Sequence, residues 1–137
     1  MSFATLGVAD VERATRFYQA FGWPLSKGSV PGEVSFFHTA GGLLAVWGAN
    51  DLAKDIGVPA DNGAGFRSTA LALNLDSPEQ VDEALATAQA NGGQIVKPGK
   101  KTDFGYNGYF ADIDGHFWGV AYNRDFPIGP DGRPTLP

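Results

Sequence analysis

The sequence contains no cysteine, which excludes a disulfide framework, thiol catalysis and any Cys-ligated metal. No apolar run reaches membrane-spanning length, and the first residues lack the charged-then-apolar pattern of a secretory signal. The expectation is a cytoplasmic protein with no membrane partner. Basic residues are also scarce: ten Lys and Arg against fifteen Asp and Glu give a net charge of −5. That balance argues against a nucleic-acid partner. No P-loop, Rossmann glycine pattern, nucleophile elbow or HExxH motif is present. What remains fits a protein that handles small molecules or protein partners. Its 137 residues suit one domain with a sizeable core. Nineteen Gly and nine Pro imply many tight connections, and ten Phe lead the aromatics.

The most informative stretch is Tyr106 to Tyr122, YNGYFADIDGHFWGVAY. Two aromatic-rich runs flank Asp112-Ile113-Asp114-Gly115, so the stretch reads as a β-hairpin. A relative, SFFHTAGGLLAVWG, runs from Ser35 to Gly48, with Gly41-Gly42 supplying the turn. Phe3 to Val8 is β-compatible, and Asp10 then stands as a helix N-cap before apolar residues at 11, 14, 17, 18 and 21. A weaker strand is expected around Leu25 to Val30, and a helical turn or two over Asn50 to Val58. Ser68 to Leu75 alternates as a strand, and Ser77-Pro78-Glu79-Gln80 then opens a second helix as a capping box. Asn91-Gly92-Gly93 stops that helix. A short strand from Gln94 to Lys97 and a loop from Pro98 to Gly105 lead into the hairpin.

The order is strand, helix, strands, then the same again, which is an internal repeat and an α+β fold. The boundaries read as one domain over 1–123, with module one at 1–58, a linker at 59–66 and module two at 67–123. Residues 124–137 form a Pro/Gly-rich tail, expected as an extended or partly disordered arm.

TLGVADVERATRFYQAFGW near the start, paired with YFADIDGHFWGVAYN near the end, resembles the vicinal oxygen chelate superfamily. That group includes glyoxalase I, extradiol dioxygenases, and fosfomycin and bleomycin resistance proteins. The resemblance implies paired βαβββ modules whose mixed sheets curl around a cavity with helices outside. It also implies a homodimer. In metal-dependent members a divalent cation sits in the cavity, held from the first and last strands of each module. Carried over, the family's first His falls on Phe3 and its second-module counterpart on Ala70. The Glu four residues after the turn glycine falls on Gly119, and its first-module equivalent on Val46, or on Leu44 with a register slip of two. None of these can bind a cation through its side chain, so neither metal nor another cofactor is expected.

Glu33 and the only two histidines, His38 and His116, make a poor substitute, because Glu33 and His38 lie five apart on a strand. His116 reads as a turn residue. His38 is the best acid/base candidate, since histidine ordinarily titrates near neutral pH. A three-residue hairpin loop pairs His38 with Leu44 facing the cavity, whereas a two-residue loop turns it to the other face. Asp112 and Asp114 read as turn-forming carboxylates, and Lys97, Lys100 and Lys101 as a solvated basic loop. Alternation then lines the cavity with Phe3, Thr5, Val46, Ala70, Asn74, Tyr109, Phe117 and Gly119, an apolar surface with few polar groups. The leading expectation is a metal-independent binder of a small apolar or aromatic ligand. The alternatives are a metal-dependent lyase, isomerase or dioxygenase, and a structural or regulatory dimer whose Phe3 and Phe117 fill the space.

Overall fold

Two helices begin where the sequence caps them. The Asp10 carboxylate accepts the Arg13 N–H at 3.0 Å, and Ser77 Oγ accepts the Gln80 N–H at 3.2 Å. The Gln80 side chain returns a bond to the Asp76 N–H at 2.8 Å. These contacts satisfy N–H groups that a helix start leaves without intrahelical partners. A computed structural model describes residues 1–61 and 65–137. The linker expected at 59–66 therefore lies partly outside the described residues. The chain divides into two units, Met1–Gly65 and Phe66–Pro137. The fold is α+β, with one mixed sheet in each unit and three helices among the described residues. No described helix is long and apolar enough to cross a membrane.

The first unit comprises β1 (Phe3–Val8), α1 (Val11–Gln19), β2 (Val34–Thr39), β3 (Gly42–Gly48) and α2 (Ala49–Ile56). Its sheet has the order β1-β3-β2, with β1 parallel and β2 antiparallel to β3. Val11, Ala14, Phe17 and Tyr18 form the buried stripe of α1, which packs on β2 and β3. Beneath it lie Phe37, Leu44 and Val46. Ser35, 4% exposed, bonds the Thr15 hydroxyl at 2.7 Å and so satisfies its own hydroxyl inside the core. The strand expected over 25–30 is reduced to two isolated bridges, Leu25 with Phe37 and Val30 with Val34. Gly32, at φ 77°, folds Val30 straight back onto Val34 and leaves no length for a ladder.

The second unit comprises β4 (Ala70–Asn74), α3 (Pro78–Ala90), β5 (Gln94–Lys101), β6 (Gly105–Ala111) and β7 (Phe117–Asn123), a complete βαβββ module. Its order is β4-β7-β6-β5, with α3 packed on β5, β6 and β7. Gly108 is a point of close approach, since a Cβ there would lie 2.7 Å from the Lys97 carbonyl oxygen and 2.8 Å from Leu85 Cδ1. Lys97, Lys100 and Lys101 stand on β5, correcting the loop expected from Pro98. Register shifts on both sides of Lys97 let Pro98 occupy an edge strand, and the lysines discourage edge-to-edge pairing. The tail folds back on itself, with the Thr135 N–H bonded to the Pro127 carbonyl at 2.9 Å and Gly132 at φ 77° in the turn. It is a small hairpin, not an extended arm.

Asp112 organises the turn between β6 and β7. Only 5% exposed, its Oδ1 accepts N–H groups from Asp114 at 2.9 Å and His116 at 2.8 Å. Gly115 takes φ 82°, which L side chains rarely adopt. Replacing Asp112 with Ala leaves both amides without this acceptor, and should lower unfolding free energy in urea by about 1.5–3 kcal/mol.

On the helix-covered side, the Tyr106 phenol donates to Asp82 Oδ1 at 2.9 Å. That bond holds its pKa above the ordinary 10.0, helped by desolvation and by the charges of Asp82 and Glu79. A raised pKa places this contribution to stability below pH 10, and it fades as pH rises through the folded value. Asp82→Asn should lower the Tyr106 titration midpoint, read as phenolate absorbance against a Tyr106→Phe reference.

Candidate functional site

Strand alternation gives each sheet a second face, opposite its packed helix. In the first unit the register sets Phe3 beside Leu43 and His38, and Thr5 beside Ala45 and Phe36. The turn is the two-residue Ala40-Gly41, with Thr39 paired to Gly42. His38 accordingly lies opposite Leu43, on the same face as Phe3. Leu44, its three-residue-loop partner, belongs to the helix side. Phe3, 45% exposed, meets Phe36 edge-on at 5.7 Å between ring centroids. Phe3, Ser26, Phe36, Phe37, His38 and Leu43 line a cavity of about 200 Å³. Ser26 is fixed at its edge by donating its backbone N–H to the Phe36 carbonyl at 2.8 Å. At the far end of β1, a Cβ on Gly7 would lie 3.2 Å from Ala49 Cα, so α2 covers that end of the face.

Val46 does not line this face. It is 0% exposed and pairs with Leu6 and Ser35 on the side covered by α1. The neighbouring residue Ala45 takes the expected place. The counting error comes from the hairpin register, which shifts the whole alternation by one.

In the second unit Ala70, Ala72 and Asn74 pair with Phe117, Gly119 and Ala121, and Tyr109 pairs with Gly119. A Cβ built on Gly119 would lie 3.1 Å from Tyr109 Cε1, so the phenol ring occupies the space above the glycine. Phe117 meets Phe66 edge-on at 5.9 Å. Ala70 and Thr5 are exposed, while Asn74, Tyr109 and Phe117 are half-buried. His116 stands at the turn, its Nδ1 3.2 Å from Arg67 Nη2, which also donates to the Asp114 carbonyl at 3.3 Å. Since a guanidinium only donates, that geometry uses Nδ1 as an acceptor.

The positions at which the resemblance would put metal ligands do not fit a cation. Phe3 offers a ring, Ala70 a methyl, Val46 and Leu44 buried hydrocarbon on the helix side, and Gly119 no side chain beneath the Tyr109 ring. Among the described residues no group of three His, Cys, Asp or Glu is placed to hold a metal ion. A larger depression of about 580 Å³ lies at the starts of α1 and α2, where Asp10, Glu12 and Asp51 contribute carboxylates. There Asp10 serves as the α1 cap.

Four lining residues of the smaller cavity, Ser26, Phe36, Phe37 and Leu43, were not among the sequence candidates. Alternation from Phe3 and the correct turn would have found Phe36 and Leu43. Ser26 comes from a segment without periodicity, and no sequence signal marks it.

The coupling of Gly119 to Tyr109 is testable. Gly119→Ala should destabilise the native chain, because the ring must shift by a few tenths of an ångström. With Tyr109→Ala already in place, the same change should be neutral or stabilising, since Ala outperforms Gly in a strand. A double-mutant cycle should show a coupling of about 0.5 kcal/mol or more.

The family model described as Glyoxalase/Bleomycin resistance protein/Dioxygenase superfamily matches residues 1–120. A glyoxalase-related enzyme from Fulvimarina pelagi is 36% identical, with a TM-score of 0.88 over 99% of this chain and 96% of that one. A glyoxalase/bleomycin resistance protein/dioxygenase from Nocardioides is 28% identical, with a TM-score of 0.69 over 89% of this chain and 82% of that one. A lactoylglutathione lyase from Agrobacterium tumefaciens, 20% identical with a TM-score of 0.66 over 89% of this chain and 92% of that one, shares the fold alone. No curated protein sequence matches the chain.

Proposed function

This chain belongs to the glyoxalase/bleomycin resistance protein/dioxygenase superfamily, and we propose that it binds a small apolar or aromatic molecule without a metal ion. The cavity on the second face of the first sheet carries this reading. Its wall is built mainly from the side chains of Phe3, Phe36 and Leu43, the chemistry usual in small-molecule sites. The places where metal-dependent relatives would carry ligands hold hydrocarbon or nothing here. Burial of an aromatic body against these rings supplies the binding energy, and edge-to-face contact with Phe3 and Phe36 sets its orientation.

The enzyme reading is second. It is favoured by the Fulvimarina relative, described as a glyoxalase-related enzyme, and His38 at the cavity is its acid/base candidate. Any such chemistry would run on this chain's own side chains. His38→Ala should then lower kcat far more than it weakens ligand binding.

Magnitudes make the binding reading measurable. A ligand of about eight non-hydrogen atoms gaining about 0.5 kcal/mol per atom has a Kd on the order of 1 mM. At ten times that concentration it stabilises the native state by about 1.4 kcal/mol, which raises Tm by roughly 3–6 °C. Leu43→Trp fills the cavity from its own wall and should remove the shift. Equal shifts in the native and Leu43→Trp proteins would place binding elsewhere, and no shift across a panel of small aromatics would count against the proposal.

A further inference from the structure

We infer that the first-unit cavity selects a single aromatic ring carrying one uncharged hydroxyl, that is, a monocyclic phenol; the inference rests on the binding reading above. Volume limits the body of the ligand. An enclosed apolar cavity of about 150 Å³ holds benzene, and this half-open cavity of about 200 Å³ takes one ring and a small substituent within its walls, so that a second fused ring would reach into solvent. The wall limits charge. Phe3, Phe36 and Leu43 present hydrocarbon to the cavity, and stripping water from a carboxylate against such a surface is strongly unfavourable without a paired cation. The chain's net charge of −5 adds repulsion toward anions.

The edge then fixes the substituent. Ser26 and His38 are the polar residues of the lining. Ser26 Oγ accepts the Gly28 N–H at 3.1 Å, which leaves its hydroxyl proton to donate elsewhere. The His38 side chain is exposed and makes no hydrogen bond among the described residues. A hydroxyl donor beside an imidazole that can donate or accept is matched by a group that does both. A phenol O–H meets that description while its ring remains between Phe3, Phe36 and Leu43.

The test titrates p-cresol, toluene, benzoate and 2-naphthol at pH 7 into the whole chain and into a Ser26→Ala/His38→Ala variant. Affinities are read from chemical-shift changes of the Phe3, Phe36 and Leu43 resonances. In the native protein p-cresol should bind about tenfold tighter than toluene, the worth of one or two hydrogen bonds. Benzoate and 2-naphthol should bind at least tenfold more weakly than p-cresol. In the double variant the preference of p-cresol over toluene should fall toward one. Benzoate or 2-naphthol binding as tightly as p-cresol overturns the inference, as does a cresol preference that survives in the double variant. Toluene binding as tightly as p-cresol overturns it while leaving the binding reading intact. Failure of all four compounds to bind removes that reading and this inference together.

Discussion

In both units the strand before the first helix lies parallel to the strand that closes the hairpin, β1 against β3 and β4 against β7. This pairing determines everything the second faces present. With a side-chain period of two, one register decides which residues go under the helix and which remain on the other side. Phe37, Leu44 and Val46 in the first unit, and Phe110, Trp118 and Val120 in the second, are the helix-side residues. Their neighbours Phe36, Leu43 and Ala45, and Tyr109, Phe117 and Gly119, follow from them without further choice. The Phe110–Trp118 stack at 6.0 Å and the Thr15–Ser35 bond hold the two registers in place.

The two units use that shared plan differently. In the first, Phe3, Phe36 and Leu43 leave a concavity at one end of the face. In the second, the position matching Ala45 is Gly119, and the ring of Tyr109 lies over it. A glycine there is thus more than a missing carboxylate. It makes room for an aromatic ring from the neighbouring strand, which protects a strand segment that has no side chain of its own. The internal repeat has diverged into one face with a cavity and one with a ring laid across it.

Much of this was legible in the residues. Helix caps, the Asp112 turn and the repeat rest on local chemistry, and local chemistry is written in consecutive residues. The sheet face of Thr5, Asn74 and Phe117 followed from alternation, counted from the positions at which the resemblance set Phe3, Ala70 and Gly119. Val46 was misplaced because register depends on a turn, and Gly41-Gly42 permits turns of different length. Residues 98–101 were misread for another reason: Pro98 and Gly99 look like a loop, yet bulges let an edge strand carry them. A Cβ on Gly99 would meet the Tyr106 ring and the Asp82 carboxylate, a contact that no local pattern reveals. Ser26 reaches the cavity only through a backbone bond to Phe36, which is likewise invisible from spacing.

The central claim is that the site works through hydrocarbon contact and does not depend on a cation. Calorimetric titration of a small aromatic, before and after exhaustive chelation and with metal content measured on the same samples, tests it most directly. The account predicts equal affinity in both samples and metal well below one equivalent. Loss of binding on chelation, with recovery when one equivalent of zinc, nickel, manganese or iron is restored, would contradict it.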